Sequence, residues 1–160
     1  SAKQQDKPIS EQSTQSVTTQ QAQGLAPALV KRFEDIAKRA AKTKNFSAAY
    51  QHINETYKDE SLAHVTNLVN KARHEYASGL LNRVSEPGAY TEALEFVKTL
   101  PEGQFRTNFL PKLEQGVRQH VSKLINSAIE GNDADAIEYL EKMPESEIKT
   151  MLSSSLYELA

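Results

Sequence analysis

Leu29, Phe33, Ile36 and Ala40 recur at three- and four-residue steps, and Val30, Ala37 and Ala41 widen the same stripe. Residues so spaced share one face of a helix, so the pattern predicts an amphipathic helix from Ala26 onward. Pro27 suits its first turn, where a missing N–H costs little. A second stripe runs through Leu62, Val65, Leu68, Val69, Ala72, Tyr76, Leu80, Leu81 and Val84, and stops at Pro87 and Gly88, which forbid continuation. A third uses Leu113, Val117, Val121, Leu124, Ile125 and Ala128 and ends at Gly131. Pro111 is expected in its first turn, opened by Thr107 or Asn108. Shorter stripes occupy about 46–57, 89–100 and 133–143, and a last one, from about Ser146, holds Ile148, Met151, Leu152, Leu156 and Leu159. No stretch alternates with period two for long enough to form a strand. The predicted fold class is all-α.

The chain ahead of these stripes reads differently. Up to about residue 24 its only aliphatic side chains larger than Ala are Ile9 and Val17, set among seven Gln. So little apolar surface does not offset the entropy lost on ordering. Residues 1–25 are therefore expected to be a disordered polar Gln-rich tail or linker, and 26–160 a helical-repeat domain. The 160 residues, 38% hydrophobic, suit one ordinary domain with one core.

Three short segments align. Asn45–Phe46–Ser47–Ala48–Ala49, Ala89–Tyr90–Thr91–Glu92–Ala93 and Asn132–Asp133–Ala134–Asp135–Ala136 share an Ala at positions 49, 93 and 136, spaced by 44 and 43 residues. Four positions on comes Ile53, Val97 or Leu140, which puts a small and a branched residue on one helical face. The match continues from Leu100–Pro101–Glu102 to Met143–Pro144–Glu145 and from Leu113 to Leu156. A fixed period of this size marks stacked supersecondary units, each unable to hide its apolar face without the next.

Gly131 and the segment to Lys142 resemble the turn and second helix of a tetratricopeptide repeat, and Gly88, Tyr90 and Ala93 match that family's Gly, aromatic and small positions. The first copy keeps Phe46 and Ala49 but has Lys44 in place of Gly; the third has Asp133 in place of the aromatic. The period exceeds the family's 34 residues and is closer to HEAT-type units. The resemblance implies a right-handed α-solenoid of about three long-helix/short-helix hairpins plus a C-terminal helix. It implies no particular function, because such arrays bind many unrelated partners. The last helix carries an apolar edge without a polar cap, so either the array continues or that edge docks onto a partner or a second copy.

Composition narrows the chemistry. Cys is absent, which removes thiolate nucleophiles, disulfides and thiolate metal sites and leaves the compartment open between cytoplasm and periplasm. No apolar run nears the roughly 18 residues of a spanning helix, so a soluble chain is expected. His52, His64, His74 and His120 include no pair four apart, so no metal site is expected; His120 should be a packed or boundary side chain, and His52 and His64 should be exposed. Asn132, Asp133, Asp135 and Glu138 lack the ligand order of a Ca²⁺ loop and read as helix capping by Asn132 or Asp133. There is no Gly-rich phosphate loop, no serine elbow and no apolar pocket around an acid pair. No catalytic residue, cofactor or enzymatic activity is expected.

Charge is uneven. Residues 1–80 hold 11 basic and 8 acidic side chains, and 81–160 hold 8 and 13, giving +3 and −5. The basic excess gathers in Lys31, Arg32, Lys38, Arg39, Lys42 and Lys44 against Glu34 and Asp35. Such a stripe can meet an acidic protein, a phosphate or an anionic membrane surface, while a pI near 6.1 and the absence of Trp disfavour nucleic acid. The opposed halves also favour head-to-tail packing of copies. The leading expectation is a non-catalytic interaction or scaffold module that binds a peptide or helix of another protein. By analogy with solenoids its contacts are Lys38, Lys42, Arg73, Tyr76, Arg83, Arg118 and His120. The alternatives are a self-associating assembly segment of a larger envelope, secretion or virion protein, and the helical arm of an enzyme whose catalytic domain lies elsewhere.

Overall fold

The computed structural model describes residues 24–160; the tail expected over 1–25 lies, up to residue 23, outside them. Seven helices and no strand occur among the described residues: α1 (Pro27–Thr43), α2 (Phe46–Thr56), α3 (Asp59–Asn82), α4 (Ala89–Lys98), α5 (Gln104–Ile129), α6 (Ala134–Glu141) and α7 (Glu147–Leu159). The protein is all-α, and longer helices alternate with the short α2, α4 and α6. No described helix is long and apolar enough to cross a membrane. The residues sort into two compact units. One comprises the described residues up to Ser78 together with Lys98–Thr107; the other comprises Gly79–Val97 and Asn108–Ala160.

The turns that separate the helices are chemically distinct but share one backbone feature. Lys44, Gly88 and Gly131, the three positions that end the runs preceding the matched short helices, all adopt positive φ, at 63°, 84° and 98°. At Gly131 the N–H bonds the Ala128 carbonyl and the next N–H, of Asn132, reaches back to Ser127 at 2.9 Å, which closes the last turn of α5 as a Schellman motif. Gly88 follows Pro87 in the turn closed by Ala89 N–H on Glu86 O, where Pro presets one φ and Gly supplies the other. Lys44 closes α1 with one bond to Ala40 O, at the steric cost a side chain pays in this region.

In the first unit, Pro27 occupies the opening turn of α1 and Asn45 Oδ1 accepts from Ala48 N–H to cap α2. Phe33 is fully buried, its ring edge-on to Tyr57 at 4.9 Å and 5.5 Å from His64. Burial of a side chain this size contributes about 1.5–3 kcal/mol. Phe46 and Ile53 are buried from α2, Val65 and Val69 from α3, and Phe46 stacks against Tyr76. Tyr50 donates its hydroxyl to Asn70 Oδ1 inside this core. Thr99 Oγ1 donates to Lys44 O at 3.0 Å, tying the segment after α4 to the end of α1.

His64 was expected at the surface and is 1% exposed. It adjoins Val65 on the buried side of α3, where the Phe33 ring covers it.

In the second unit, Leu113, Val117, Val121, Leu124 and Ala128 line the buried side of α5, and Phe96 meets Phe109 edge-on at 5.4 Å. Ala93 and Ala136 are buried, and Tyr139 sends its hydroxyl to Val84 O at 2.7 Å. Thr91 donates to Lys142 O, and Ser146 caps α7 by accepting from Lys149 N–H. Ile148 and Leu152 bury the inner side of α7.

Two local expectations change. α5 begins at Gln104, so Pro111 lies inside it and not in its first turn. A proline there forfeits a backbone bond at a cost of about 3 kcal/mol, and packing of Phe109 against Phe96 offsets part of it. Asp133 is the N-cap of α6, but neither its side chain nor that of Asn132 supplies a capping bond; Asp135 in the first turn complements the helix dipole instead.

Candidate functional site

The first unit carries a groove of about 560 Å³ where α1 and α2 pack together. From α1 it is lined by Arg32, Asp35, Ile36, Arg39, Ala40 and Thr43, and from α2 and its flanks by Asn45, Ala48, Ala49, His52 and Tyr57. The α1 residues recur at steps of three and four, so they form one stripe of the helix. Arg32 and Arg39 are two turns apart on that wall, with Ile36 between them. On the α2 side Ala48 and Ala49 contribute only methyl groups, and Tyr57 closes the end, its ring 6.5 Å from that of His52 and nearly perpendicular to it. Stepping about 100° per residue, Lys31, Lys38 and Lys42 fall together on the side of α1 next to Asp35, so the cationic wall extends beyond the groove rim. Glu34 points to the far side of the helix by the same count.

The groove offers methyl and aromatic surface below and guanidinium groups above. Such a lining seats apolar and small side chains and pairs with carboxylates. Among the described residues no three His, Cys, Asp or Glu side chains gather as a metal would require.

The residues expected to make contacts divide. Lys38 and Lys42 are exposed and belong to the cationic wall. Arg73 is 3% exposed, unlike a surface contact, and its guanidinium lies over the rings of Phe105 at 4.0 Å and Tyr50 at 5.3 Å. Tyr76 is half-buried against Phe46, with the Lys44 ammonium over its ring at 4.6 Å. Arg83 pairs with Glu92 at 2.7 Å in the second unit. Arg118 is exposed, 3.9 Å from Glu147, and lines a shallow depression of about 390 Å³ with Pro111 and Glu114. His120 packs as expected, its ring 4.8 Å from Tyr139. Burial holds the His120 imidazole below its usual range; Lys123 adds to this and Asp135 opposes it. Burial pushes the Tyr139 phenol up to about 12, with a contribution from Tyr90. Tyr90 is raised by burial and Glu114, against Arg118.

Arg32, Arg39, Ala48, Ala49 and His52 were not among the expected contacts. Part of the signal was present, since Arg32 and Arg39 stand seven apart on one helical face; that Ala48 and Ala49 line the same groove comes from the packing of α2. Compared with protein-family models, curated proteins and solved structures, the chain gives no match.

Proposed function

We propose that this chain is a non-catalytic protein-interaction module, a solenoid of tetratricopeptide-like helical hairpins whose α1–α2 groove takes an acidic amphipathic helix or peptide of a partner protein. The repeat reading draws support from the positive φ shared by Lys44, Gly88 and Gly131 and from the alternation of long and short helices. The observation that carries the function is the different fate of equivalent alanines. Ala93 and Ala136 are buried, whereas Ala49, with the exposed Ala48, lines the groove. A small residue in a repeat exists to let a neighbouring helix approach, and in the first copy that place is open. The cationic wall selects an occupant with carboxylates.

The test is fluorescence anisotropy with a labelled peptide of about 15 residues, helical in pattern, with Leu and Ala on one face and Glu flanking it. Binding that weakens at least about tenfold for Arg39→Glu, and that is lost with a Lys-for-Glu peptide, supports the reading. Absence of binding overturns it. So does binding to vesicles containing phosphatidylserine in preference to the peptide, which would make the α1 wall a membrane-surface contact.

A further inference from the structure

Among the described residues, the large hydrophobic side chains that stay exposed all fall between positions 129 and 160: Ile129, Ile137, Met151, Tyr157 and Leu159. Ile129 is 62% and Tyr157 85% exposed, well beyond the margin of a packed core. The same stretch holds eight acidic side chains against Lys142 and Lys149, whereas α1 and its C-cap hold six basic against Glu34 and Asp35. Uncovered apolar surface and excess negative charge therefore coincide in one segment, and a groove of opposite sign exists in the first unit of the same chain.

On α7 the two properties meet in a single stripe. Glu147, Met151, Ser154 and Glu158 follow one another at steps of four, three and four, all exposed and all beside the inner face that buries Ile148 and Leu152. From Glu147 to Glu158 is about 16 Å along the axis, the same eleven residues that separate Arg32 from Thr43 on the groove wall. A stripe of acid, Met, Ser, acid is the pattern such a groove accepts: Met toward Ile36, the small Ser toward Ala48 and Ala49, one carboxylate toward Arg32 and the other toward Lys42 at the far end of the cationic wall. Lys149 points elsewhere and pairs with Glu145 at 2.7 Å. Glu147 is nearly fully exposed, and its 3.9 Å approach to Arg118 leaves it available for a second cation.

Resting on the reading of the groove as a helix acceptor, we propose that its occupant is α7 of a second copy of this chain. The contact joins two different surfaces and is therefore heterologous, able to propagate from copy to copy or to close a ring. One face of a 13-residue helix buries less than a standard interface, so the association is weak, in the micromolar range, and sensitive to salt.

Sedimentation of the full chain at about 100 μM in about 50 mM and about 500 mM salt tests this. Concentration-dependent association that weakens about tenfold or more at the higher salt is the expected result. Arg39→Glu breaks the groove and Met151→Asp breaks the helix, so each variant alone should be monomeric. Mixed, they should form a one-to-one dimer, because the first keeps an intact α7 and the second an intact groove. Should Met151→Asp fail to fold, Glu158→Lys at an exposed position takes its place. A monomeric wild type at both salts overturns the proposal, as does a mixture that stays monomeric or a variant that associates like wild type. A monomer that still binds the acidic peptide leaves the groove reading standing and removes only this occupant; loss of both removes the two together.

Discussion

Arg73 holds its guanidinium 4.0 Å from the centre of the Phe105 ring, and the Tyr50 ring lies 5.3 Å away. At 3% exposure the cation is desolvated between two π faces, the setting in which such contacts reach about 2 kcal/mol. Arg73→Ala should lower stability by about 2–3 kcal/mol in urea titration, through lost stacking and the void left behind. Arg73→Lys keeps the charge but not the planar surface and should lose about 1 kcal/mol. Neither should change affinity for the acidic peptide once folded; a selective loss of binding in a stable Arg73→Lys protein would return this residue to the recognition surface.

The Tyr139 hydroxyl donates to Val84 O at 2.7 Å, across 55 residues of chain. Tyr139→Phe leaves that carbonyl without its donor and should cost about 1 kcal/mol. The phenol, raised to about 12 chiefly by burial, keeps its proton in the folded state where the unfolded chain, near 10, has lost it. Its contribution is thus complete below pH 10 and disappears as pH rises through the folded value. Chemical denaturation at about pH 9 and about pH 11 should show a fall that is shallower in Tyr139→Phe. An equal fall in both proteins would place the alkaline sensitivity elsewhere.

His120 titrates with the opposite sign. Its pKa is held below 6.5 by burial and by Lys123, with Asp135 opposing, so on acidification the unfolded chain takes up a proton before the folded one does. Stability from the neutral ring beside Tyr139 is present above pH 6.5 and is lost as pH falls toward the folded value. His120→Phe keeps a ring against Tyr139 without a titrating group, and its melting temperature should vary less between about pH 7.5 and about pH 5.5 than that of wild type. Identical profiles would show that His120 binds its proton equally in the folded and unfolded states.

The helices were legible because their apolar positions keep one period and their ends carry strong local signals: Pro27, Pro87 with Gly88, and Gly131. Arg73 and His64 were not, since a cation or an imidazole beside an apolar stripe is ordinarily solvated. Their burial depends on Phe105 and Phe33, which lie 32 and 31 residues away in sequence. Pro111 reads locally as a helix start, and only the packing of Phe109 on Phe96 shows why the helix begins a turn or more earlier. The groove was half legible. The basic residues of α1 announce themselves, but whether Ala48 and Ala49 are covered is decided by what packs over α2, a tertiary fact with no local trace.

Ala93 and Ala49 make the sharpest comparison, because the repeat aligns them and the structure treats them differently. Ala93 is fully buried in the second unit; a larger side chain there must displace packed neighbours, and Ala93→Leu should destabilise by about 1–3 kcal/mol. Ala49 borders an open groove, so Ala49→Leu should leave stability within about 0.5 kcal/mol of wild type. The added isobutyl group instead fills space that an incoming helix needs, and affinity for the acidic peptide should fall about tenfold or more. Thermal melts and anisotropy on the two variants separate the effects. If Ala49→Leu melts as early as Ala93→Leu, the first copy's alanine is packed and the groove is no acceptor. If it melts like wild type and binds the peptide unchanged, the occupant sits elsewhere on α1.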